Sequence, residues 1–136
     1  MTDTIVSLQE ANIYVKKNLI LTGVNLHVQK NEFVYLIGKT GSGKSSLLRV
    51  LFGDIKLNQG EGNVAGYSLN KLKNKEIPFL RRKLGIVFQD FQLLGDRTAK
   101  DNLLFVLTAT GWHNKQTADD RINEVLQKVG LGTKGF

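Results

Sequence analysis

The sequence predicts an α/β fold with an antiparallel side sheet, and three observations support this prediction. Residues 4–28 contain several apolar segments of strand length. An apolar run, a glycine-rich turn and a helical pattern then follow one another over residues 33–52. From about residue 100 onward the pattern is helical. Strands that precede a strand–helix–strand unit and then a helical stretch are typical of an α/β domain.

The amino-terminal part supplies the strands of the side sheet. The segment 24–28 alternates apolar with polar residues, as a half-buried strand does. A glycine-rich turn is predicted at residues 58–62. The strands predicted around these features cover residues 4–8, 11–15, 19–21, 24–28 and 63–67.

The core unit begins with the run FVYLI at residues 33–37, which predicts a buried strand. Residues 46–52 predict a helix that Gly53 stops. A second buried strand is predicted at residues 84–88, after a short helix at 75–83 that has Pro78 in its first turn.

The carboxyl-terminal part predicts helices only. The first covers about residues 100–107. The second starts at about Thr117, which forms a capping-box-like pair with Asp120, and Gly130 is its expected stop. Its apolar face consists of Ile122, Val125, Leu126 and Val129.

The turn between residues 37 and 46 has the pattern G-x-x-x-x-G-K-S of a phosphate-binding loop. Glycines at 41 and 43 let successive backbone N–H groups point inward, and the following helix adds its positive end. The Lys44 ammonium then reaches the β- and γ-phosphates, and the Ser45 hydroxyl ligates Mg²⁺. The predicted nucleotide-binding residues are Gly38, Lys39, Thr40, Gly41, Ser42, Gly43, Lys44, Ser45 and Ser46.

A glycine-rich turn with a surface lysine is the alternative interpretation of this loop. The motif is complete, and a strand pattern precedes it while a helix pattern follows it. The flanking elements therefore favour a nucleotide site.

The charge balance is basic, with 19 Lys and Arg against 12 Asp and Glu and a formal net charge of +7. Such a chain favours polyanions: nucleotide phosphate, nucleic acid or an anionic membrane face. The basic residues are scattered except at 71–75 and 81–83, which indicates a solvated surface. No aromatic–basic interleaving supports a nucleic-acid-handling ATPase, and we expect no nucleic acid partner.

Composition and segment lengths indicate the cellular compartment of the chain. There is no cysteine, which excludes disulfides and thiolate metal sites. No apolar stretch approaches the roughly 20 residues of a membrane-spanning helix, and residues 1–10 lack the pattern of a signal peptide. The expectation is a cytoplasmic chain.

Three further features resemble one family. Gln89 directly follows the predicted strand 84–88, Tyr14 lies in the strand-rich amino end, and residues 73–85 lead into Gln89. Together with the loop, these features are similar to the ATP-binding subunits of ABC transporters. The branch that acts in bacterial cell division is most similar, and lipoprotein-release and macrolide-export ATPases share much of the pattern. The branch-like segments are 78–82, 88–90, 93–94, 96–98 and 101–102.

The resemblance implies ATP and Mg²⁺ as cofactors. Tyr14 would stack on the adenine ring, although an ordinary strand tyrosine is the alternative. Lys44 and Gln89 would be catalytic, with Gln89 reaching the Mg²⁺ and the attacking water. Asp90 is a rival Mg²⁺ group, but it would face away if Gln89 faces the nucleotide, since neighbouring strand residues point to opposite faces.

The resemblance also implies partners. Two ATPase subunits would form a homodimer, and an integral membrane, permease-like partner of the FtsX type would hold them at the inner face of the plasma membrane. Residues 91–94 would lie in the groove where the family docks this partner. Core packing by Phe91 and Leu94 is the alternative.

Some family elements do not occur in these residues. There is no Leu-Ser-Gly-Gly-Gln-type signature and no strand ending in Asp–Glu, and neither His27 nor His113 fits the switch histidine. We expect an amino-terminal portion of an ABC-type domain, truncated before the signature and inactive alone. Residues of about 1–95 would form the β subdomain and the start of the phosphate-loop core, and about 96–136 the start of the helical subdomain. The alternative is a naturally short, non-hydrolysing nucleotide-binding module.

Overall fold

A computed structural model describes residues 3–132 of the chain. The chain divides into two compact units, residues 1–85 and 86–136. The first unit contains the strands β1 (Thr4–Val15), β2 (Asn18–Gln29), β3 (Gln59–Val64) and β4 (Tyr67–Ser68), with the helices α1 (Lys44–Leu51) and α2 (Ile77–Arg82). The second contains α3 (Ala99–Ala109) and α4 (Lys115–Lys128). The predicted helices at 46–52, 75–83 and 100–107 are thus confirmed, and each end differs by one or two residues.

The four strands form one antiparallel sheet in the order β2-β1-β3-β4. Two strands were predicted at 4–8 and 11–15, but they form the single continuous strand β1. Those predicted at 19–21 and 24–28 likewise form β2. Each strand is irregular where a break was expected. In β1 the irregularity is a bulge at Glu10, whose φ is 45°. The extra residue shifts the side-chain alternation, so that Leu8 and then Ala11 and Ile13 face the core.

Glycines in β3 allow the backbones of β1 and β3 to approach closely. A Cβ at position 60 would lie 2.3 Å from the carbonyl oxygen of Glu10, and one at position 62 would lie 2.8 Å from Leu57 Cδ2. The prediction of a turn at 58–62 and a strand at 63–67 was therefore wrong: these glycines lie in a strand. The turn is at Ala65–Gly66, both with positive φ, as two-residue hairpins require.

The core of the first unit lies between the sheet and α1. Leu47 and Val50 of α1 are buried and pack in one cluster with Leu8 and Ile13 of β1 and with Leu80 of α2. A helix of eight residues is not stable alone in water. Burial of each such side chain contributes about 1.5–3 kcal/mol, so α1 is held in place by this packing.

The strands predicted at 33–37 and 84–88 are absent from the described residues. Residues 33–37 are exposed, Ile37 to 89%, and Val87 is exposed to 86%. The prediction of two buried strands was therefore wrong here. A strand with no neighbour leaves its N–H and C=O groups without ladder partners, and parallel strands occur almost only inside covered sheets.

The ends of α1 and α2 agree with their sequence signals. Gly53 has a φ of 73° and directly follows the C-cap residue Phe52, so the predicted stop is confirmed. Pro78 lies in the first turn of α2. Arg81 of α2 donates from Nε to the carbonyl oxygen of Phe52 at 3.1 Å, which ties the two helix ends together.

In the second unit α4 has a different N-terminal cap from the one predicted. Asn114 caps α4 by accepting from the Thr117 N–H at 3.1 Å. The predicted Thr117–Asp120 cap is therefore wrong, and Asp120 instead accepts from Gln116. Gly130, with a φ of 76°, follows the end of α4 as predicted.

The faces of α4 separate apolar from charged residues. Ile122 is buried, Val125 and Leu126 are half-buried, and Val129 is exposed. On the solvent side, hydrogen bonds from Lys128 and then Arg121 lower the pKa of Glu124 from 4.5 to about 2. Within residues 3–132, no helix has the length and apolar character to cross a membrane.

The contrast between Gly60 and Gly66 tests the close β1–β3 approach. Both have a left-handed φ, but a Cβ at position 66 would meet nothing within 4 Å. Gly66→Ala should cost about 1–2 kcal/mol for the backbone conformation alone. Gly60→Ala should cost at least about 1–3 kcal/mol more, because its Cβ would overlap main-chain atoms that cannot rotate away. Urea unfolding of both variants measures the difference, and equal losses would contradict this packing.

Candidate functional site

The glycine-rich loop leads directly into the amino end of α1. Its residues 38–42 are exposed, and α1 begins at Lys44. Gly41 and Gly43 have φ angles of 79° and 96°, a region that glycine occupies without steric cost. Gly43 is the N-cap, and no side chain caps the first N–H groups of the helix. These donors therefore have no side-chain partner at the positive end of the helix.

Gly43 also fixes the position of the loop. A Cβ at this position would lie 2.9 Å from Leu21 Cγ and 3.0 Å from Ile20 Cγ2, both in β2. A Cβ at Gly41 would meet nothing within 4 Å. Gly43 is thus required for close packing against the sheet, whereas Gly41 is required only for its backbone conformation.

The Lys44 side chain lies inside the curl of the loop. Its Nζ donates to the carbonyl oxygens of Gly38 and Lys39, both at 2.7 Å, and lies 3.4 Å from Ser42 Oγ. The Ser42 N–H closes a turn onto the carbonyl oxygen of Lys39 at 3.1 Å. The ammonium group therefore lies where the loop backbone surrounds it, and its hydrogen bonds can be exchanged for those of an incoming anion.

The hydroxyl residues of the loop differ in exposure. Ser45 and Thr40 are exposed and Ser46 is half-buried. Among the residues that the structure describes, the Ser45 hydroxyl has no hydrogen-bond partner. It lies one residue after the ammonium-bearing Lys44, on the first turn of α1.

Tyr14 lies near the end of β1, opposite Leu19 of β2. Its side chain is half exposed, and its hydroxyl donates to Gln59 Oε1 at 3.3 Å. The same Gln59 oxygen accepts from Asn12 Nδ2 at 2.9 Å. Leu21, which packs against Gly43, is two residues from Leu19. Tyr14 and the loop therefore lie toward the same end of the β1–β2 hairpin.

Gln59 and Asn12 are residues that the sequence analysis missed. They form a polar network with Thr22 and Gly23, since Asn12 Oδ1 accepts from Thr22 Oγ1 at 2.9 Å and from the Gly23 N–H at 2.8 Å. This network orders the strands next to Tyr14. Only the pairing of β1 with β2 and β3 brings these residues together, so no local pattern indicates it.

Gln89 lies in the second unit, in a turn rather than at the end of a strand. It is exposed, and the turn continues through Phe91 and Gln92, which have φ angles of 57° and 49°. The prediction that Asp90 faces away from the nucleotide assumed a strand at residues 84–88, in which neighbouring side chains alternate. Residues 84–88 are not a strand here, so this assumption does not hold. The loop and Tyr14 belong to the first unit.

The segment after Gln89 exposes apolar side chains. Phe91 and Leu93 are exposed to 68% and 69%, whereas Leu94 is half-buried. Asn102 of α3 brackets the backbone of Leu94: its Oδ1 accepts from the Leu94 N–H at 2.8 Å and its Nδ2 donates to the Leu94 carbonyl at 3.1 Å. A helix side chain therefore fixes the end of this segment.

Comparison with known proteins identifies the class to which this fold and loop belong. Residues 21–135 match the ABC transporter family, and the chain belongs to that family. The family resemblance and the predicted α/β ABC ATPase fold are thereby confirmed.

Three similar curated proteins share one description, cell division ATP-binding protein FtsE. The protein from Streptococcus pneumoniae serotype 2 is 41% identical over 114 residues, which cover 84% of this chain and 49% of that protein. The one from Escherichia coli K12 is 40% identical over 121 residues, covering 87% and 53%. The one from Mycobacterium tuberculosis is 42% identical over 118 residues, covering 84% and 49%. The chain spans about half the length of these relatives.

Solved structures agree. An ATP-binding cassette solved as a dimer in a post-hydrolysis state, bound to ADP and Pi, matches with a TM-score of 0.75 and 31% identity. That match covers 90% of this chain and 56% of the other. The protein cbiO1 from Clostridium perfringens, part of an ABC transporter complex, matches with a TM-score of 0.80 and 26% identity, covering 95% and 51%.

Proposed function

We propose that this chain provides the ATP-binding part of an ABC-type subunit that couples ATP binding and hydrolysis to a membrane partner in bacterial cell division. One observation carries the proposal: the loop residues 38–43 curl around the Lys44 ammonium at the uncapped amino end of α1. Family membership supports ATP as the ligand, and the FtsE relatives support the role in division.

The loop binds the triphosphate in this proposal. Phosphate oxygens replace the carbonyl groups of Gly38 and Lys39 as acceptors for Lys44, and the N–H groups at the start of α1 donate to the same oxygens. Residues 38–46 together form this cradle. Its charge and its donors both favour the negative end of ATP.

Tyr14 provides the adenine platform. Its hydroxyl is held by Gln59, which leaves the half-exposed ring as a flat apolar surface near the loop end of the hairpin. A ring of this kind stacks on the face of a purine and forms no hydrogen bond with the edge of the base.

Magnesium fits the residues present. Mg²⁺ in ATP sites usually takes one or two protein groups and the substrate phosphates, and the unpartnered Ser45 hydroxyl on the first turn of α1 is such a group. No cluster of three acidic, histidine or cysteine side chains suited to a metal occurs within residues 3–132. When bound, the ion neutralises charge on the transferred phosphoryl group. Gln89 is the second group that we assign to it and to the attacking water.

Hydrolysis requires more than these 136 residues in this proposal. They contain no Leu-Ser-Gly-Gly-Gln-type segment and no Asp–Glu strand end, so no general base and no second clamp on the γ-phosphate. A homodimer of subunits would complete the site, as the dimeric arrangement of a related cassette suggests. By itself, the 136-residue chain is expected to bind ATP without hydrolysing it.

The place of action follows from the same proposal. A permease-like membrane partner of the FtsX type would hold the subunit at the cytoplasmic face of the plasma membrane. The exposed Phe91 and Leu93 are the residues that we assign to this contact. Their apolar side chains suit a helix docked on them.

Lys44→Ala tests the triphosphate site. The variant loses the charge that the loop surrounds, and a hydrogen bond to a charged group contributes about 1.5–3 kcal/mol, so ATP affinity should fall at least about tenfold. Titration of the chain with a fluorescent ATP analogue and Mg²⁺ measures this. Lys56→Ala, which removes an exposed lysine outside the loop, is the matched control. Unchanged affinity in Lys44→Ala would show that the site is misassigned.

Tyr14 variants test the adenine platform separately from the phosphates. Tyr14→Phe keeps the ring and loses only the bond to Gln59, so its ATP affinity should stay within a few-fold of the parent. Tyr14→Ala loses stacking of about 1–3 kcal/mol and should weaken ATP binding about 5- to 150-fold. Inorganic triphosphate, which has no base, should bind all three proteins equally. Equal ATP affinity of the Phe and Ala variants would refute the stacking role.

A further inference from the structure

The first unit contains a second concave site, separate from the phosphate loop. It is a cavity of about 540 Å³ between the carboxyl end of α1 and the segment that leads into α2. This volume lies in the range of ligand sites of about 300–1,000 Å³. No residue of the loop 38–46 lines the cavity.

The rim of the cavity is cationic. Four lysines line it, all of them exposed, and within residues 3–132 none of them forms an ion pair: Lys56, Lys71, Lys73 and Lys75. The lining acid, Asp54, is already paired with Arg49 at 2.6 Å and lies 3.8 Å from Arg81. The rim therefore has an uncompensated positive charge.

Part of the cavity wall is apolar, and the polar Asn70 and Asn74 lie beside it. Val50 and Leu69 are buried at its base, and Leu72 and Ile77 are half-buried along its side. Among residues 3–132, no aromatic side chain lines it. The cavity thus offers a phosphate-attracting rim above an aliphatic surface, and it lacks a ring on which a nucleotide base could stack.

We propose that this cavity binds the headgroup region of an anionic phospholipid and so places the chain on an anionic membrane surface. Lysines act as flexible point charges rather than as planar forks, which suits phosphates that move laterally in a bilayer. The aliphatic wall matches the glycerol and the first methylene groups of such a lipid, whereas free phosphate would leave it without a partner. Clustered lysines of this number are typical of segments attracted to anionic lipid.

The inference does not depend on ATP binding, because the two sites share no residue. A failure of one is therefore distinguishable from a failure of the other. Lys44→Ala should keep its lipid binding, and a variant of the rim should keep its ATP binding.

The test is co-sedimentation of the 136-residue chain with vesicles. Vesicles of phosphatidylcholine with phosphatidylglycerol are compared with vesicles of phosphatidylcholine alone, because the exposed apolar residues 33–37 would bind both alike. The triple variant Lys71→Gln, Lys73→Gln, Lys75→Gln should lose about fivefold in affinity per lysine, or about 100-fold in total.

The matched control removes the same charge elsewhere in the unit. The triple variant Lys16→Gln, Lys17→Gln, Lys30→Gln takes three exposed lysines from turns that do not line the cavity, and it should lose no more than about fivefold. Circular dichroism and ATP binding confirm that both variants fold. Added salt should weaken the parent and the control alike.

Three outcomes would overturn the proposal. The first is an equal loss of vesicle affinity in the two triple variants, which would indicate that binding depends only on the overall charge of the chain. The second is the absence of any preference for the anionic vesicles. The third is binding of a polyglutamate peptide through the same lysines without binding to vesicles, which would make the cavity a protein-docking site.

Discussion

The packing of Gly43 against β2 is the constraint on which the candidate site depends. The space for a side chain at position 43 is filled by Leu21 and Ile20, so the amino end of α1 lies directly on the β1–β2 hairpin. Leu47 and Val50 extend the same contact into the core. The direction in which the loop opens is therefore set by the sheet, and the sheet also carries Tyr14.

If the loop binds a triphosphate as proposed, Lys44 has two roles there, in the loop without ligand and in anion binding. With Gly38 and Lys39 as acceptors, the ammonium group stabilises the curl before any anion arrives. This order reduces the entropy that binding must remove. The cost is a competition, since phosphate oxygens must displace two carbonyl groups. Charge-assisted bonds to phosphate are stronger than those to a neutral carbonyl, and the exchange therefore favours the anion.

The parts of the fold that local signals control were predictable from the sequence. The loop motif, Pro78 at the start of α2, and the glycines after α1 and α4 each act within a few residues, and the structure agrees with them. The strand predicted at 33–37 failed because a buried strand depends on neighbours distant in sequence. The turn predicted at 58–62 was wrong because glycine occurs both in turns and where two backbones approach closely.

The candidate site is likewise determined partly by residues that are neighbours in sequence and partly by residues that are distant in sequence. Residues 38–46 follow from one contiguous motif, whereas the Gln59 acceptor of Tyr14 lies 45 residues away along the chain. The cap of α4 is an intermediate case: Asn114 and Thr117 both have capping side chains, and periodicity alone does not separate them. The candidate loop can thus be identified from the sequence, whereas Gln59, which holds Tyr14, is identified only from the fold.

Two cationic sites in one unit need different means of selecting anions. At the loop, backbone N–H groups and one enclosed ammonium have fixed directions, which favours a compact polyphosphate of defined geometry. At the cavity rim, four exposed lysines have no fixed direction and are screened by salt within about 8–10 Å. A soluble polyphosphate at physiological ionic strength therefore gains more from the loop. A surface of many weak charges gains more from the rim, because its phosphates can adjust to the lysines. In these two proposals, the difference between enclosed and exposed ammonium groups thus gives each site its own class of anion.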